Sequence, residues 1–156
     1  MDPSKPAYIC GPLTELDEET KEFAKRLYVG IADICEEVLG IRAFVPHEHY
    51  DPIKHKNYTP ADVDKAERDQ VMNKTSVLIV LPIAPSWGGG IEVEMARQEG
   101  VPVILLCERQ KLKARLISRL LRGNPAVSVE TSYDSEIDAY AAIKDALIKI
   151  KSQAVA

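Results

Sequence analysis

The most constraining feature of this sequence is a short run, Ser76 to Pro82, in which nearly every residue is apolar. Side chains of a β-strand point alternately to opposite faces, so such a run needs both of its faces covered. That requirement is typical of a central strand in a parallel sheet with helices on both sides. The run is also much shorter than the roughly 18 apolar residues that signal a membrane span.

The rest of the chain repeats an alternation of strand and helix patterns. Strands are predicted at 7–10, 41–45, 76–82, 101–107 and 126–129, and helices at about 17–39, 60–74, 91–99, 111–122 and 135–151. Residues 46–60 are polar and rich in His, Tyr and Pro, and are predicted to form a long functional loop. Strands and helices that alternate five times without a hairpin signal predict a doubly wound parallel α/β sheet, most simply of flavodoxin-like order 2-1-3-4-5, in a single domain over residues 1–156.

Charge and cysteine usage restrict the partners and the cellular location. The chain has 20 Lys+Arg and 24 Asp+Glu, which gives a net charge of −4 at pH 7. Because nucleic-acid binders carry a basic excess, we expect no nucleic-acid polymer as partner. Cys10, Cys35 and Cys107 are widely spaced among apolar neighbours and are predicted to be reduced core thiols. The N-terminus does not resemble a signal peptide. Together with the reduced cysteines, this predicts a cytoplasmic protein with no membrane partner.

The predicted strand order indicates where a site should lie. In this order the first and third strands are neighbours, and the helices that follow them lie on opposite faces of the sheet. The loops after these strands, residues 10–14 and 85–90, should therefore flank a crevice at the carboxyl ends of the strands.

Gly88, Gly89 and Gly90 precede a helix in the second of these loops. Glycine lets a ligand approach the backbone, and the start of a helix offers unpaired N–H groups to an anion. Ser86 adds a hydroxyl group. The pattern is neither GxxxxGK[ST] nor GxGxxG, so neither a Walker NTPase nor a dinucleotide fold is supported. A flexible strand-to-helix turn is the alternative interpretation.

Three acidic side chains could carry chemistry. Glu92 follows the glycines, Glu94 lies about 200° around the same helix and cannot face one crevice with it, and Asp69 lies on the preceding helix. Each is alternatively a solvated or dipole-favouring surface carboxylate.

His47, His49 and His55 lie in the 46–60 loop together with Asp51. Their spacing matches no common zinc pattern, and no paired cysteines accompany them. We therefore expect no metal site here.

Several of these residues form motifs that resemble the nucleoside 2-deoxyribosyltransferase superfamily, and more closely its 2′-deoxynucleoside 5′-phosphate N-hydrolase branch. Residues 8–12 (YICGP) are similar to its opening Y-x-x-G-[PS] element. Residues 86–96 (SWGGGIEVEMA) resemble S-x-G-x-G-x-E-L-G-x-A, whose glutamate is the nucleophile, and residues 115–123 (RLISRLLRG) resemble R-x-x-S-x-x-x-R-G. The resemblance extends from Tyr8 to Gly123.

The resemblance implies three catalytic residues. Glu92 is the expected nucleophile, and Asp69, which precedes it by 23 residues, is the expected general acid if the crevice raises its pKa. Tyr8 is expected to orient Glu92 and the sugar. No metal or organic cofactor is implied.

The resemblance also implies a set of substrate-binding residues: Gly11, Pro12, His49, Ser86, Gly88, Gly89, Gly90 and Ser118. Ser86 occupies a position where transferases that act on free nucleosides tend to carry Asp, which favours a monophosphate hydrolase. Ser118 is expected to reach the 5′-phosphate in a neighbouring subunit's site, which implies a homodimer. The chain departs from the branch at Glu94, which replaces a glycine, and over residues 50–64.

The expected activity is therefore hydrolysis of the N-glycosidic bond of (deoxy)nucleoside 5′-monophosphates. Transfer of the sugar to a second base is the alternative within the same superfamily. Residues 85–94 also resemble, more weakly, the PGGxGTxxE loop of LOG-type phosphoribohydrolases. Two further alternatives involve no such reaction at the predicted site. The protein could be a nucleotide-sensing module without turnover, or an α/β domain whose site lies elsewhere.

Overall fold

A computed structural model describes residues 1–51 and 54–155. Within them, the centre of the molecule is a four-stranded parallel sheet in the order β1-β2-β3-β4. The strands are β1 (Ala7–Cys10), β2 (Val77–Val80), β3 (Val103–Glu108) and β4 (Val127–Tyr133). The helices are α1 (Glu18–Leu39), α2 (Pro46–Tyr50), α3 (Pro60–Lys74), α4 (Trp87–Gln98), α5 (Arg109–Lys113), α6 (Arg119–Arg122) and α7 (Glu136–Val155).

Helices cover both faces of the sheet, as the apolar run at 76–82 predicts. One face packs against α1 and α7 through side chains such as Ile9 and Ile79. The other face packs against α3 and α4 through side chains that include Tyr8 and Leu78. Alternation along β1 therefore directs Tyr8 and Cys10 toward the helices that carry the candidate carboxylates. The predicted α/β class, a parallel sheet with helices on both faces, is confirmed.

The prediction of a fifth strand at 41–45 is wrong. In the described residues Phe44 forms a single bridge with β1, in which its N–H donates to the carbonyl of Ala7 (2.8 Å) and its carbonyl accepts from the N–H of Ile9 (2.9 Å). Pro46 begins α2 at once. Because proline fixes φ and suits the first turn of a helix, the chain turns away before further rungs of the ladder form.

The predicted bounds of two long helices, 17–39 and 60–74, agree with those of α1 and α3. Asp17 caps α1 by accepting from the N–H of Thr20 (2.9 Å), and Gly40 ends it with a φ of 81°. Thr59 and Asp62 form a capping box at the start of α3. Caps of this kind fix the ends of a helix through contacts between residues that are close in the sequence.

Three helical segments differ from the predictions. The 46–60 region contains α2, and α4 begins at Trp87, so the three glycines form its first turn and not a preceding loop. The helix predicted at 111–122 is divided into α5 and α6. Arg115 between them has a φ of 57°, which a continuous α-helix cannot contain.

The three cysteines are buried and free, as predicted for core thiols. In the residues that the structure describes, no helix is both long enough and apolar enough to cross a membrane.

Candidate active site

A buried Tyr8–Glu92 pair lies at the centre of the candidate site. Glu92 is only 8% exposed, although most glutamates in folded proteins are at the surface. The Tyr8 hydroxyl donates a hydrogen bond to Oε1 of Glu92. Tyr8 comes from β1 and Glu92 from α4, so residues 84 positions apart in the chain meet on one face of the sheet. The sequence motifs named both residues, and the structure brings them together.

Burial changes the acidity of this pair. Desolvation raises the pKa of Glu92 to about 7, while the neighbouring Cys10 thiol and Tyr8 hydroxyl act in the opposite direction. The pKa of the Tyr8 hydroxyl is raised far above its usual value, first by burial and then by the charge of Glu92. Tyr8 is therefore a permanent hydrogen-bond donor, and Glu92 changes its charge close to neutral pH.

The start of α4 adjoins the end of β1, as the fold argument predicts. Ser86 is the N-cap residue, and its Oγ accepts from the N–H of Gly89 (3.2 Å). The Cys10 Sγ lies 3.8 Å from the carbonyl oxygen of Gly89. The two predicted loops therefore meet beside Glu92, which lies in the second turn of α4.

The first loop is held in place by a residue that the sequence did not indicate. The Tyr28 hydroxyl, from α1, donates to the carbonyl of Pro12 (2.8 Å). A Cβ atom at Gly11 would lie 2.2 Å from that hydroxyl oxygen. Gly11 is thus required for the close approach of Tyr28, which fixes the loop over residues 11–12. Tyr28 occupies the core stripe of α1, so its sequence position predicts packing alone.

An aromatic stack connects His49 to the buried pair. The ring of Phe44 stacks on Tyr8 with centroids 5.6 Å apart and on His49 with centroids 4.3 Å apart. His49 is exposed, whereas Tyr8 is buried. His49, which was predicted to bind substrate, therefore lies on an aromatic column that reaches the Tyr8–Glu92 pair.

Asp69 does not face this pair. Its carboxylate forms an ion pair with Lys74 (2.5 Å) and accepts a hydrogen bond from Asn73 (2.9 Å). These contacts lower the pKa of Asp69, which is opposite to the rise expected of a general acid.

Glu67, two residues earlier on α3, has the contrasting environment. It is half-buried, and its charge acts on Glu92, Tyr8 and Cys10. Sequence reasoning missed this residue, although it lies one helical turn before the apolar Val71.

Ser118 lies at the surface, where it caps α6 by accepting from the N–H of Leu121 (3.3 Å). None of the described hydrogen bonds joins it to the Tyr8–Glu92 pair. Its neighbours Leu116 and Leu120 are 70% and 87% exposed. Trp87, next to Ser86 at the start of α4, is 90% exposed.

The histidine-containing region does not assemble a metal centre in the part of the chain that the structure describes. Residues 1–51 and 54–155 contain no group of three or more His, Cys, Asp or Glu side chains placed to hold a metal ion. The ring Nδ1 atoms of His47 and His55 are buried without a described hydrogen-bond partner. His47 contacts the ring of Tyr28 and His55 that of Tyr58, so both contribute to aromatic packing.

The chain was compared with known proteins at the levels of sequence and structure. No protein-family model and no curated protein matches it. Solved structures do match. The solution structure of BlsM aligns with a TM-score of 0.70 and 20% identity, over 98% of this chain and 95% of BlsM. The CMP N-glycosidase BcmB of Clostridium botulinum aligns with a TM-score of 0.61 and 20% identity, over 94% of this chain and 98% of BcmB.

A third solved structure, a conserved protein from Enterococcus faecalis V583, has a TM-score of 0.59 and 19% identity, with 91% of this chain and 98% of that protein covered. In all three cases the alignment spans nearly the whole of both chains, so the likeness concerns the complete fold and not one motif. The chain therefore shares the fold of BlsM and of the CMP N-glycosidase BcmB.

Proposed function

We propose that this protein hydrolyses the N-glycosidic bond of (deoxy)nucleoside 5′-monophosphates and releases the free base and (deoxy)ribose 5-phosphate. The observation that carries the proposal is the buried Tyr8–Glu92 pair beside the glycine-rich start of α4. In this proposal Glu92 is the carboxylate nucleophile, and the adjacent start of α4 is the anion-binding element. The shared fold with a CMP N-glycosidase supports this reaction class.

The proposed mechanism has two steps with Glu92 as nucleophile. Its carboxylate attacks C1′ of the sugar, the C1′–N bond breaks, and the electron pair leaves with the base. Water then attacks C1′ of the glycosyl-enzyme and releases the carboxylate of Glu92, which is the logic of a retaining glycosidase. The Tyr8 hydroxyl fixes the orientation of Glu92 through its hydrogen bond. The residues named supply this chemistry without a metal or an organic cofactor.

The start of α4 is the proposed phosphate site. Neither Gly88 nor Gly90 has a positive φ, and a Cβ at Gly90 would meet no atom within 4 Å. Internal packing therefore does not require glycine at position 90. Close approach of a phosphate to the backbone N–H groups gives a reason for it, and the positive end of the helix dipole favours the same ligand. The Ser86 hydroxyl supplies a further contact.

The proposed active assembly is a homodimer in which Ser118 of one subunit reaches the phosphate bound by the other. Leu116 and Leu120 expose apolar surface on both sides of Ser118, and Trp87 exposes its ring beside Ser86. Exposed apolar surface of this kind is typical of an interface. The exposed apolar side chains lie beside Ser118 and beside Ser86, the two serines proposed to bind the phosphate. This supports a second copy of the chain as the partner.

Base release is the direct test. Wild type, Glu92→Gln and the matched control Glu94→Gln are incubated with ribo- and deoxynucleosides and their 5′-monophosphates. Glu94 is exposed and paired with Arg97 (2.6 Å), so its substitution should change the rate less than about twofold.

We expect wild type and Glu94→Gln to release base from monophosphates alone, and Glu92→Gln to lose at least about 10³-fold in rate. Release from free nucleosides, with transfer to an added acceptor base, would instead indicate a deoxyribosyltransferase. Nucleotide binding without release, unchanged in Glu92→Gln, would favour a sensing module and contradict the proposal.

A further inference from the structure

The two acidic residues near the middle of α3 face different surroundings. Positions two apart on an α-helix differ by about 200° in direction. Asp69 faces Lys74 at the surface. Glu67 shares its face with Val71, one turn later, and Val71 is completely buried. Val71 packs in the apolar cluster that contains Tyr8 and Cys10, so this face of α3 is directed toward the candidate site.

Glu67 has an unusual set of neighbours for a surface glutamate. In the part of the chain that the structure describes, no hydrogen bond or ion pair is formed by its carboxylate. The charge of Glu67 affects the pKa of titratable groups on three adjacent elements, and the charge of Asp64 affects that of Glu67. The groups affected by Glu67 are Tyr8 and Cys10 of β1, Glu92 of α4 and Tyr50 of α2. A carboxylate in this position is neither a salt-bridge partner nor a cap.

The surroundings of Glu67 make its neutral form easier to keep than it is in water. Burial is the main cause that raises the pKa of Glu67 above its usual value, and Asp64 adds to the effect. The charge of Glu67 in turn raises the pKa of Glu92. Two coupled carboxyl groups in one desolvated site favour a state with one negative charge and one proton between them. A glycosidase needs the same division, with one carboxylate as nucleophile and one carboxylic acid as proton donor.

We infer that Glu67, and not Asp69, is the general acid–base residue that protonates the departing base. This inference rests on the proposed N-glycosidase function. As the C1′–N bond breaks, the Glu67 carboxyl proton passes to the base, which leaves as a neutral molecule. In the second step the Glu67 carboxylate takes one proton from the attacking water, and Glu92 is released as a carboxylate. The cycle consumes one water and restores both groups.

The test combines three substitutions with a change of leaving group. Glu67→Gln removes the acid without changing its size, Asp69→Asn tests the rival residue, and Glu94→Gln is a control for an acidic residue that is paired with Arg97 at the surface. Each variant is assayed with dGMP and 7-methyl-dGMP if wild type releases purines, or with dUMP and 5-fluoro-dUMP if it releases pyrimidines. The modified base of each pair leaves with little or no need for protonation.

We expect Glu67→Gln to lose at least about 100-fold in kcat with the unmodified base and less than about tenfold with its modified partner. Glu67→Asp should recover at least tenfold. The part of the pH dependence of kcat that comes from loss of the Glu67 proton should be absent in Glu67→Gln. Glu94→Gln should stay within about twofold of wild type with both substrates.

Three results would overturn the inference while leaving the proposed function intact. These are an equal loss on both substrates, no loss in Glu67→Gln, or the leaving-group pattern in Asp69→Asn instead. If wild type releases no base from any nucleotide, the proposed function fails, and the assignment of Glu67 fails with it.

Discussion

At the scale of single residues, the decisive feature is a carboxylate that the fold holds in a site poorly suited to its charge. Glu92 lies on the buried face of α4, with the Tyr8 hydroxyl as its hydrogen-bond donor. Burial of a carboxylate costs free energy unless it stays protonated or finds strong partners. The raised pKa of Glu92, about 7, shows that desolvation outweighs those partners. If Glu92 is the proposed nucleophile, its half-ionised state at neutral pH has two measurable consequences.

The first consequence concerns activity. Because only ionised Glu92 can attack C1′, we expect kcat/KM for the preferred nucleotide to rise about tenfold per pH unit well below pH 7 and to stop rising near pH 7. A pH–rate profile from pH 5 to 8.5 measures this. Glu94→Gln should keep the same profile, since the Glu94 carboxylate is at the surface. A profile that is flat from pH 5 to 7 would contradict the role of Glu92 as a buried nucleophile.

The second consequence concerns stability. The pKa of Glu92 is higher in the folded chain (about 7) than its ordinary value of 4.5, so the folded state binds the proton more tightly. The contribution of Glu92 to stability is therefore fully present below pH 4.5 and is lost as the pH rises to about 7. We expect Glu92→Gln, which stays neutral, to gain up to about 3 kcal/mol relative to wild type between pH 4.5 and pH 8.

Denaturant unfolding of wild type and Glu92→Gln at both pH values measures this gain. Glu94→Gln is the control, because its exposed carboxylate should give no comparable gain at pH 8. Equal stability differences between wild type and Glu92→Gln at pH 4.5 and pH 8 would show that Glu92 ionises in the folded chain as easily as in water.

At the scale of elements, the first turn of α4 combines two opposing demands. Glycine in a helix costs stability relative to alanine, yet Gly88, Gly89 and Gly90 stand together there. Gly89 lies against the Sγ of Cys10, which a Cβ would contact at 3.4 Å. Gly90 has no such neighbour, so packing does not explain why this position carries glycine at the expense of helix stability.

Gly90→Ala separates stability from function. We expect the substitution to stabilise the fold by about 0.5–1 kcal/mol and to raise KM for the 5′-monophosphate about tenfold or more, because the methyl group blocks the approach of phosphate to the helix start. Thermal unfolding and steady-state kinetics measure the two effects. Gln98→Ala, at the exposed end of the same helix, should leave KM unchanged. A Gly90→Ala enzyme with normal KM would place the phosphate elsewhere.

Sequence alone predicted the helices whose ends are set by neighbouring residues. It failed for the segments whose conformation depends on contacts with other parts of the chain. The bounds of α1 and α3 were predicted because these helices begin at local caps, Asp17 and Thr59, whose side chains accept hydrogen bonds from free N–H groups of the helix. Residues 41–45 have strand character, but the immediate start of α2 limits their pairing to one bridge. No glycine or proline marks the break at Arg115, so the helical periodicity of the sequence predicted one continuous helix through this position.

The same distinction applies to the candidate site. Tyr8, Glu92 and the glycines follow from motifs that lie at strand ends, where the topology fixes their position. The choice between Glu67 and Asp69 depends on which face of α3 packs inward. That helix has a single fully buried side chain, Val71, and so lacks the apolar stripe that would orient it from sequence.

At the scale of the whole molecule, the exposed apolar side chains of α6 and α4 lead to a prediction about assembly. We expect wild type to sediment as a dimer, and Leu120→Glu to sediment as a monomer with reduced kcat/KM for monophosphates, because Ser118 no longer reaches the partner's site. Ile137→Glu, which alters a side chain of similar exposure (81%) on α7, should remain dimeric. A fully active wild-type monomer would contradict the shared site.

The single bridge between Phe44 and β1 has a consequence for motion. Two hydrogen bonds hold this segment to the sheet edge, whereas β2 is paired along its length on both sides. Opening the segment therefore costs only part of the free energy that melting the sheet requires. We expect the amide hydrogen of Phe44 to exchange with deuterium well before that of Ile79. His49 and the aromatic column would then be able to swing away from Tyr8 and let a product out while the strand that carries Tyr8 stays folded.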